Sequence, residues 1–165
     1  MMDSEDKKAK EISYSSALSK MQFICSRQEK CCSDIRKKLE NWNLSYDDQD
    51  KIIQSLIDDK FIDEKRYTGF YVRDKYKFNK WGRIKISHHL KQKQIPEYLI
   101  MEAFDSISKE IYEDNLEEML RAKMKSTREE DPYKLKAKLY RFAQSRGFES
   151  NLILRNIEKI LHKDE

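Results

Sequence analysis

CCSDIRKKLENWNLSYDDQDKIIQSL from Cys31, GRIKISHHLKQKQIPEYLIMEAFDSI from Gly82 and PYKLKAKLYRFAQSRGFESNLILRNIEKI from Pro132 share one apolar spacing. A chain that repeats itself in this way must fold as a series of similar units. Each stretch opens with an apolar pair four apart, Ile35 with Leu39, Ile86 with Leu90 and Leu135 with Leu139. That spacing puts both residues on one helix face. In the first two stretches an aliphatic residue follows five positions later, Leu44 and Ile95. Apolar residues then follow at fourteen and seventeen, Ile53 with Leu56 and Phe104 with Ile107. In the third stretch the landmarks Phe148, Ile157 and Ile160 all fall four residues later. Four residues make about one helical turn, so the third unit reads as the same motif with its middle helix lengthened through Arg141 to Ser145.

Boundary signals agree with this register. Pro96 suits a first helical position, and Asp131 before Pro132 reads as an N-cap followed by proline at N1. Ser45 with Asp48 makes a capping box, and Gly147 falls where a helix end needs a left-handed residue. A further helical stretch precedes each paired-helix segment: Ser15 to Arg27, Asp63 to Tyr76 and Ile111 to Lys125. The expected fold is therefore all-α, with three tandem three-helix repeats over residues 15–60, 61–109 and 110–165 after a disordered tail, 1–14. Stacked units of this kind make an elongated, curved molecule. Composition fits, since 38% hydrophobic against 39% charged residues is lean for one round core, and three Gly with two Pro are too few for an all-β chain.

Several function classes drop out. The N-terminus MMDSEDKKAKEISYSS is charged from its third residue and has no apolar h-region. The longest apolar run, Tyr98 to Met101, is too short to span a bilayer. A cytoplasmic protein without membrane contact is expected. Cys25, Cys31 and Cys32 form no CxxC pair, and His88 and His89 point to different sides of a helix, so neither a disulfide framework nor a metal site is indicated. In the acidic cluster DDKFIDE, with Asp58, Asp59, Asp63 and Glu64, Asp63 reads as a helix cap and Glu64 as a partner of the positive helix end. There is no nucleophile with its base, no glycine-rich phosphate loop and no catalytic carboxylate pair. The chain is expected to be neither an enzyme nor a cofactor carrier.

Its net charge of +4 conceals an uneven distribution. Residues 1–65 hold 12 basic and 14 acidic groups, residues 66–96 hold 9 and 1, and residues 97–165 hold 13 and 15. The basic island also carries Tyr67, Phe70, Tyr71, Tyr76, Phe78 and Trp81. Tyr67, Phe70 and Tyr71 fall at helical spacing and read as core. Tyr76, Phe78 and Trp81 lie at or beyond the helix end among Lys75, Lys77 and Lys80, where packing and stacking on a ligand both fit. Within residues 66–96, Arg73, Lys80, Arg83, Lys85, Lys91 and Lys93 have only Asp74 as an acidic neighbour, whereas a solvated face usually mixes signs at i, i+4. Cations that neutralise phosphates beside rings that stack on bases are the means of gripping single-stranded nucleic acid. A second basic run places Lys134, Lys138 and Arg141 on one helix face, with Leu135, Leu139 and Phe142 on another. It either extends the first surface or is an ordinary solvated face.

LIDDKFIDEKRYTGFYVRDKYKFNKWGRIKISHHLKQKQI resembles the signature of RecX regulatory proteins: a leucine helix, an acidic pair, an aromatic, a helix ending in basic residues, then glycine, Arg-Ile and a second leucine helix. Arg146, Gly147 and Phe148 match the Arg-Gly-Phe of that family's last repeat, and Arg27 with Asp34, Ile35 and Leu39 matches its first. The resemblance covers residues 17 to 161. Thr68 and Gly69 stand where small residues led by alanine are usual, Gln94 replaces a glycine and Cys31 a serine.

The resemblance implies three tandem three-helix repeats, in agreement with the spacing. It also implies binding in the groove of the RecA recombinase filament, restraint of its ATPase and strand-exchange activity, contact with single- or double-stranded DNA, and a role in recombination and repair. The contact surface expected from the charge pattern is Arg73, Lys75, Lys77, Lys80, Trp81, Arg83, Lys85, Lys91 and Lys93, with Lys134, Lys138 and Arg141. No heptad run suggests a dimer, so a monomer is expected. Two rival readings are an autonomous single-stranded nucleic-acid-binding protein and a helical adaptor for an acidic protein.

Overall fold

A computed structural model describes residues 11–163. In order, the chain forms α1 (Tyr14–Arg27), α2 (Cys32–Glu40), α3 (Tyr46–Asp58), α4 (Glu64–Lys77), α5 (Arg83–Gln92), α6 (Glu97–Asp105), α7 (Lys109–Ser126), α8 (Pro132–Ser145) and α9 (Ser150–Lys163). No strand occurs among the described residues. The all-α expectation and its repeating triplets of helices are therefore observed. Of the tail expected over 1–14, residues 1–10 lie outside the described residues. Ser13 already caps α1, and Ile12 packs against the first core.

Helix starts follow the capping chemistry. Ser13, Ser45 and Ser108 each accept a hydrogen bond from the backbone N–H three residues on, and Asp131 accepts from Tyr133 and Lys134 with Pro132 at N1. Asp63 caps α4 by accepting from the Arg66 N–H at 2.9 Å. Pro96 is displaced by one residue from its expected place: it is the N-cap of α6 and not its first helical residue. Three helices, α2, α5 and α6, lack a capping side chain, and the first two borrow one. Cys31 stands at the head of α2 without a capping side chain, and the Cys32 N–H donates instead to Glu64 Oε1 at 3.2 Å. At α5, Gly82 has nothing to offer, and the Arg83 N–H donates to the Tyr112 hydroxyl at 2.9 Å. In both cases the missing cap comes from the first helix of the following repeat.

Helix ends are equally regular. Asn43, Lys60, Lys80, Gln94 and Gly147 all have positive φ, and each immediately precedes an apolar or aromatic residue. A single left-handed residue reverses the chain and drops the next side chain toward the core.

The chain divides into two compact units, residues 1–67 and 68–165. In the first, α1 and α2 pack on α3 around Ala17, Met21, Ile35, Leu39, Ile52, Ile53, Leu56 and Ile62, and the start of α4 supplies the Glu64 cap and a buried Tyr67. In the second, α7, α8 and α9 pack on one another, α5 packs on α6, and Ile86, Leu90, Ile95, Leu116, Leu120, Leu139, Ile153, Ile157 and Ile160 are buried. Within this second unit Gly82 and Gly147 meet backbone to backbone. The Gly82 N–H donates to the Arg146 carbonyl at 2.7 Å and the Ile84 N–H to the Gly147 carbonyl at 3.0 Å. A Cβ on Gly82 would lie 2.3 Å from that carbonyl oxygen, so only glycine admits the approach.

Burial corrects the register of the third repeat. Leu139 and Ala143 are fully buried, whereas Leu135 is only half-buried. Counted from Ala143, Phe148 lies five positions on and Ile157 and Ile160 lie fourteen and seventeen, the same intervals as from Leu39 and Leu90. The pair equivalent to Ile35 and Leu39 is thus Leu139 and Ala143. The extra turn of α8 is at its N-terminal end and not through Arg141 to Ser145. The expected core position of Phe70 is also corrected, since the ring is 49% exposed, and Tyr71 is half-buried. Phe70 and Tyr71 lie on the flanks of α4, while Val72 and Tyr76 take its buried stripe.

Candidate nucleic-acid interface

The basic island begins on α4. The Arg73 guanidinium lies 5.0 Å from the Phe70 ring and beside Gly69, where a Cβ would make only an ordinary contact with it. Lys77 ends the helix, Phe78 follows at 80% exposure, and Lys80 occupies one of the left-handed turns. Among the described residues no carboxylate lies within 4 Å of Arg73, Lys77, Lys80 or Lys85. Tyr76 takes no part in this surface: it is buried, stacks on Tyr112 and donates its hydroxyl proton to the Ile111 carbonyl.

Trp81 forms the centre of the island. Lys75 Nζ lies 5.2 Å and Lys85 Nζ 4.6 Å from its ring, and the His89 imidazole packs on it at 4.7 Å between centroids. Each exposed cation–π contact is worth about 0.5–1 kcal/mol, enough to hold two ammonium groups around one ring although they repel each other. The indole is therefore a post that positions cations and not a free platform for a base. Lys75 also has Asp74 at 3.9 Å, and Lys85 Nζ donates to the Ser145 carbonyl at 3.4 Å. Burial lowers the pKa of His89 first, and the positive charges of His88, Lys85, Lys75 and Lys93 lower it further. The imidazole thus registers the local positive potential. A phosphate placed here would relieve the repulsion among these groups.

Three expected cations are already engaged. Arg83 lies over the Tyr112 ring at 4.2 Å, with Nη1 3.8 Å from Glu149 Oε1. Tyr112 in turn donates its hydroxyl proton to Glu149 Oε2 at 2.7 Å while accepting from the Arg83 N–H. This half-buried network joins α5, α7 and the head of α9, so Arg83 is a structural clamp. Lys91 pairs with Glu97 at 3.1 Å and Lys138 with Glu129 at 2.7 Å. Lys93 stands at the C-cap of α5, and Lys134 and Arg141 are exposed on α8.

One cation was not singled out by charge density. Arg146 donates from Nη1 to the Asn79 carbonyl at 3.2 Å and lies 5.5 Å from the Phe142 ring. It belongs to the end of α8 that meets the α4–α5 turn, so the fold brings it beside the island from across the second unit. Its sequence signal was the Arg-Gly-Phe match, which marked a repeat landmark and gave no sign of this placement.

Among the described residues no group of three or more metal-ligating side chains could hold an ion, and no helix is long and apolar enough to cross a membrane. Burial raises the Cys25 thiol, and burial together with Glu64 pushes Cys32 up to about 12.

Known proteins resemble the chain along most of its length. Family models described as the second and third three-helix domains of RecX match residues 63–103 and 110–156. Regulatory protein RecX of Clostridium botulinum (strain Eklund 17B / Type B) is 34% identical over 129 residues, 77% of this chain and 60% of that protein. The chain thus spans about 60% of the length of this clostridial relative. Regulatory protein RecX of Chlorobium phaeobacteroides (strain BS1) is 28% identical over 163 residues, 97% of this chain and 98% of its own. A crystal structure of regulatory protein RecX superposes with a TM-score of 0.80 at 25% identity, covering 92% of this chain and 72% of that one. RecX from Lactobacillus salivarius has the same fold, with a TM-score of 0.79 at 19% identity over 88% of this chain and 95% of its own. On the matched second and third domains and these relatives, which are named regulatory proteins, the chain belongs to the RecX family.

Proposed function

We propose that the chain binds in the helical groove of the RecA recombinase filament and restrains its ATPase and strand-exchange activity, with the α4–α5 face turned toward DNA phosphates or acidic recombinase surfaces. The observation that carries this reading is the convergence of Lys75 and Lys85 on Trp81, with Lys77 and Lys80, which pair with no carboxylate among the described residues, beside them and Arg146 donated from α8. An array of cations with only Asp74 beside it, at 3.9 Å from Lys75, is poised for a polyanion. In this reading the repeats over 15–60, 61–109 and 110–165 meet successive protomers and oppose the motions that ATP turnover requires.

The test is recombinase ATPase on single-stranded DNA, titrated with the parent chain and with the triple variant Arg73→Glu, Lys80→Glu, Lys85→Glu. Arg83 is left intact, because reversing it would set a carboxylate against Glu149 and disrupt the fold. Inhibition by the variant is expected to be lost while its far-ultraviolet circular dichroism is retained; undiminished inhibition overturns the assignment of this face. If about four phosphates are neutralised, log affinity for single-stranded DNA falls against log salt with a slope of about −3.

Phe78 favours a second reading, autonomous binding of single-stranded nucleic acid. Its ring is 80% exposed between Lys77 and Lys80, available for a base to stack on. That reading predicts DNA affinity as strong without recombinase as with it.

A further inference from the structure

A second group of cations lies in the same unit, on α7 and α8. Between the C-terminal end of α7 and α8 is an open cleft of about 480 Å³ lined by Lys123, Thr127, Lys138, Arg141 and Phe142. Its floor is the half-buried Phe142 ring, with Lys123 Nζ 5.2 Å and the Arg146 guanidinium 5.5 Å from the ring centroid. Three of the five lining side chains are cations, and none is acidic. The nearby carboxylate of Glu129 comes from the segment joining α7 to α8 and holds Lys138 at 2.7 Å. That contact draws the Glu129 carboxyl below its ordinary range.

We propose that this cleft takes a nucleotide of single-stranded DNA, with the base on Phe142 and the flanking phosphates on Lys138 and Arg141, and that Glu129 is an internal competitor occupying the phosphate position on Lys138. The inference rests on the reading that the chain contacts DNA, and adds a site to it. An aromatic floor under a cationic rim fits a nucleotide, which presents a flat π-face and an anion side by side. An acidic peptide would use the rim but leave the floor without a partner. The groups now on the floor and rim are lightly held. Lys123 makes a cation–π contact between partly exposed groups, and in the Lys138–Glu129 pair the lysine is 46% exposed and so open to solvent screening. A phosphodiester and a base can replace both without disturbing the core.

The experiment is a fluorescence-anisotropy titration of the full chain with a fluorescein-labelled oligodeoxythymidine across a series of salt concentrations, beside an abasic oligonucleotide of equal length. Replacing Lys138 and Arg141 with Gln should flatten the log–log salt dependence by about 1.4, two phosphates on a single strand. Phe142→Leu, which keeps an apolar side chain, should weaken the thymidine oligonucleotide by about tenfold at unchanged slope. It should leave the abasic one unaffected. Glu129→Gln should tighten binding by about threefold, the scale of one surface pair, an effect that a purely structural Glu129 would not produce.

If the parent chain binds the oligonucleotide but the Gln pair, Phe142→Leu and Glu129→Gln all leave affinity and slope unchanged, this site is overturned while DNA contact at α4–α5 stands. If the parent chain binds no DNA, both fall. If the Gln pair weakens recombinase inhibition but not oligonucleotide binding, the cleft belongs to a protein partner and the inference is overturned.

Discussion

Gln94 shows how one backbone angle distinguishes this chain's repeats. It holds φ 60° at the end of α5, at the position occupied by Asn43 at φ 37° after α2 and by Gly147 at φ 87° after α8. A left-handed conformation costs an L-residue with a Cβ about 1–2 kcal/mol, less for asparagine and nothing steric for glycine. Gln94 is exposed, so its side chain offers little packing in return. Gln94→Gly is therefore expected to stabilise the chain by roughly 0.5–1 kcal/mol after the glycine's greater unfolded-state freedom is subtracted. Denaturant unfolding checks this as a raised midpoint at unchanged m-value; a lowered midpoint would show that the glutamine side chain contributes more than the strain removes. The glutamine at a glycine position was visible in the sequence, and so were the cations of the island. Their engagement was not. Glu149 and Tyr112, which tie down Arg83, lie far from it in the chain, and reading charge by local spacing has no access to such partners.

At the scale of elements, the recurring device is a helix capped by the helix that opens the next repeat. Glu64 of α4 supplies α2 with the acceptor that Cys31 lacks, and the same carboxylate, after burial, raises the Cys32 thiol to about 12. Glu64→Ala is expected to cost about 1 kcal/mol, the usual value of a lost N-cap. The Cys32 pKa would fall, so more thiolate is present at mildly alkaline pH and alkylation of Cys32 by iodoacetamide speeds up severalfold. Peptide mapping by mass spectrometry reads the rate; a rate equal to the parent's would rule the carboxylate out of this role. The weak head of α2 was legible in the missing serine, but its replacement was not, because a cap donated across a helix packing has no fixed sequence separation. The misplaced turn in α8 has a similarly specific cause. Leu135/Leu139 and Leu139/Ala143 both satisfy the four-residue spacing, and the larger apolar side chain gives the stronger signal although it is the alanine that is buried. Close packing of α7, α8 and α9 explains why a small residue takes the inner position there.

At the scale of the whole chain, the sequence divides by repeats and the fold by packing, and the two divisions differ. Repeat spacing separates residues 61–109 from 110–165, yet the second compact unit holds most of both. What joins them is the Gly82–Gly147 contact, the Arg83–Tyr112–Glu149 network and the Tyr76–Tyr112–Phe148 ring contacts, and none of these follows from apolar periodicity. The contrast predicts that a lesion at this junction is confined to one unit. Gly82→Ala would place a methyl group 2.3 Å from the Gly147 carbonyl oxygen, a backbone atom with no rotamer to yield. Relief requires the α4–α5 turn to separate from the end of α8, at a cost of about 3 kcal/mol, the upper range for overpacking. Amide hydrogen exchange should then accelerate along α5, α7, α8 and α9, while the amides of α1, α2 and α3, whose core lies wholly in residues 1–67, keep the parent's protection. Uniform acceleration through both units would mean that the chain unfolds as one cooperative body and that the junction stabilises all of it.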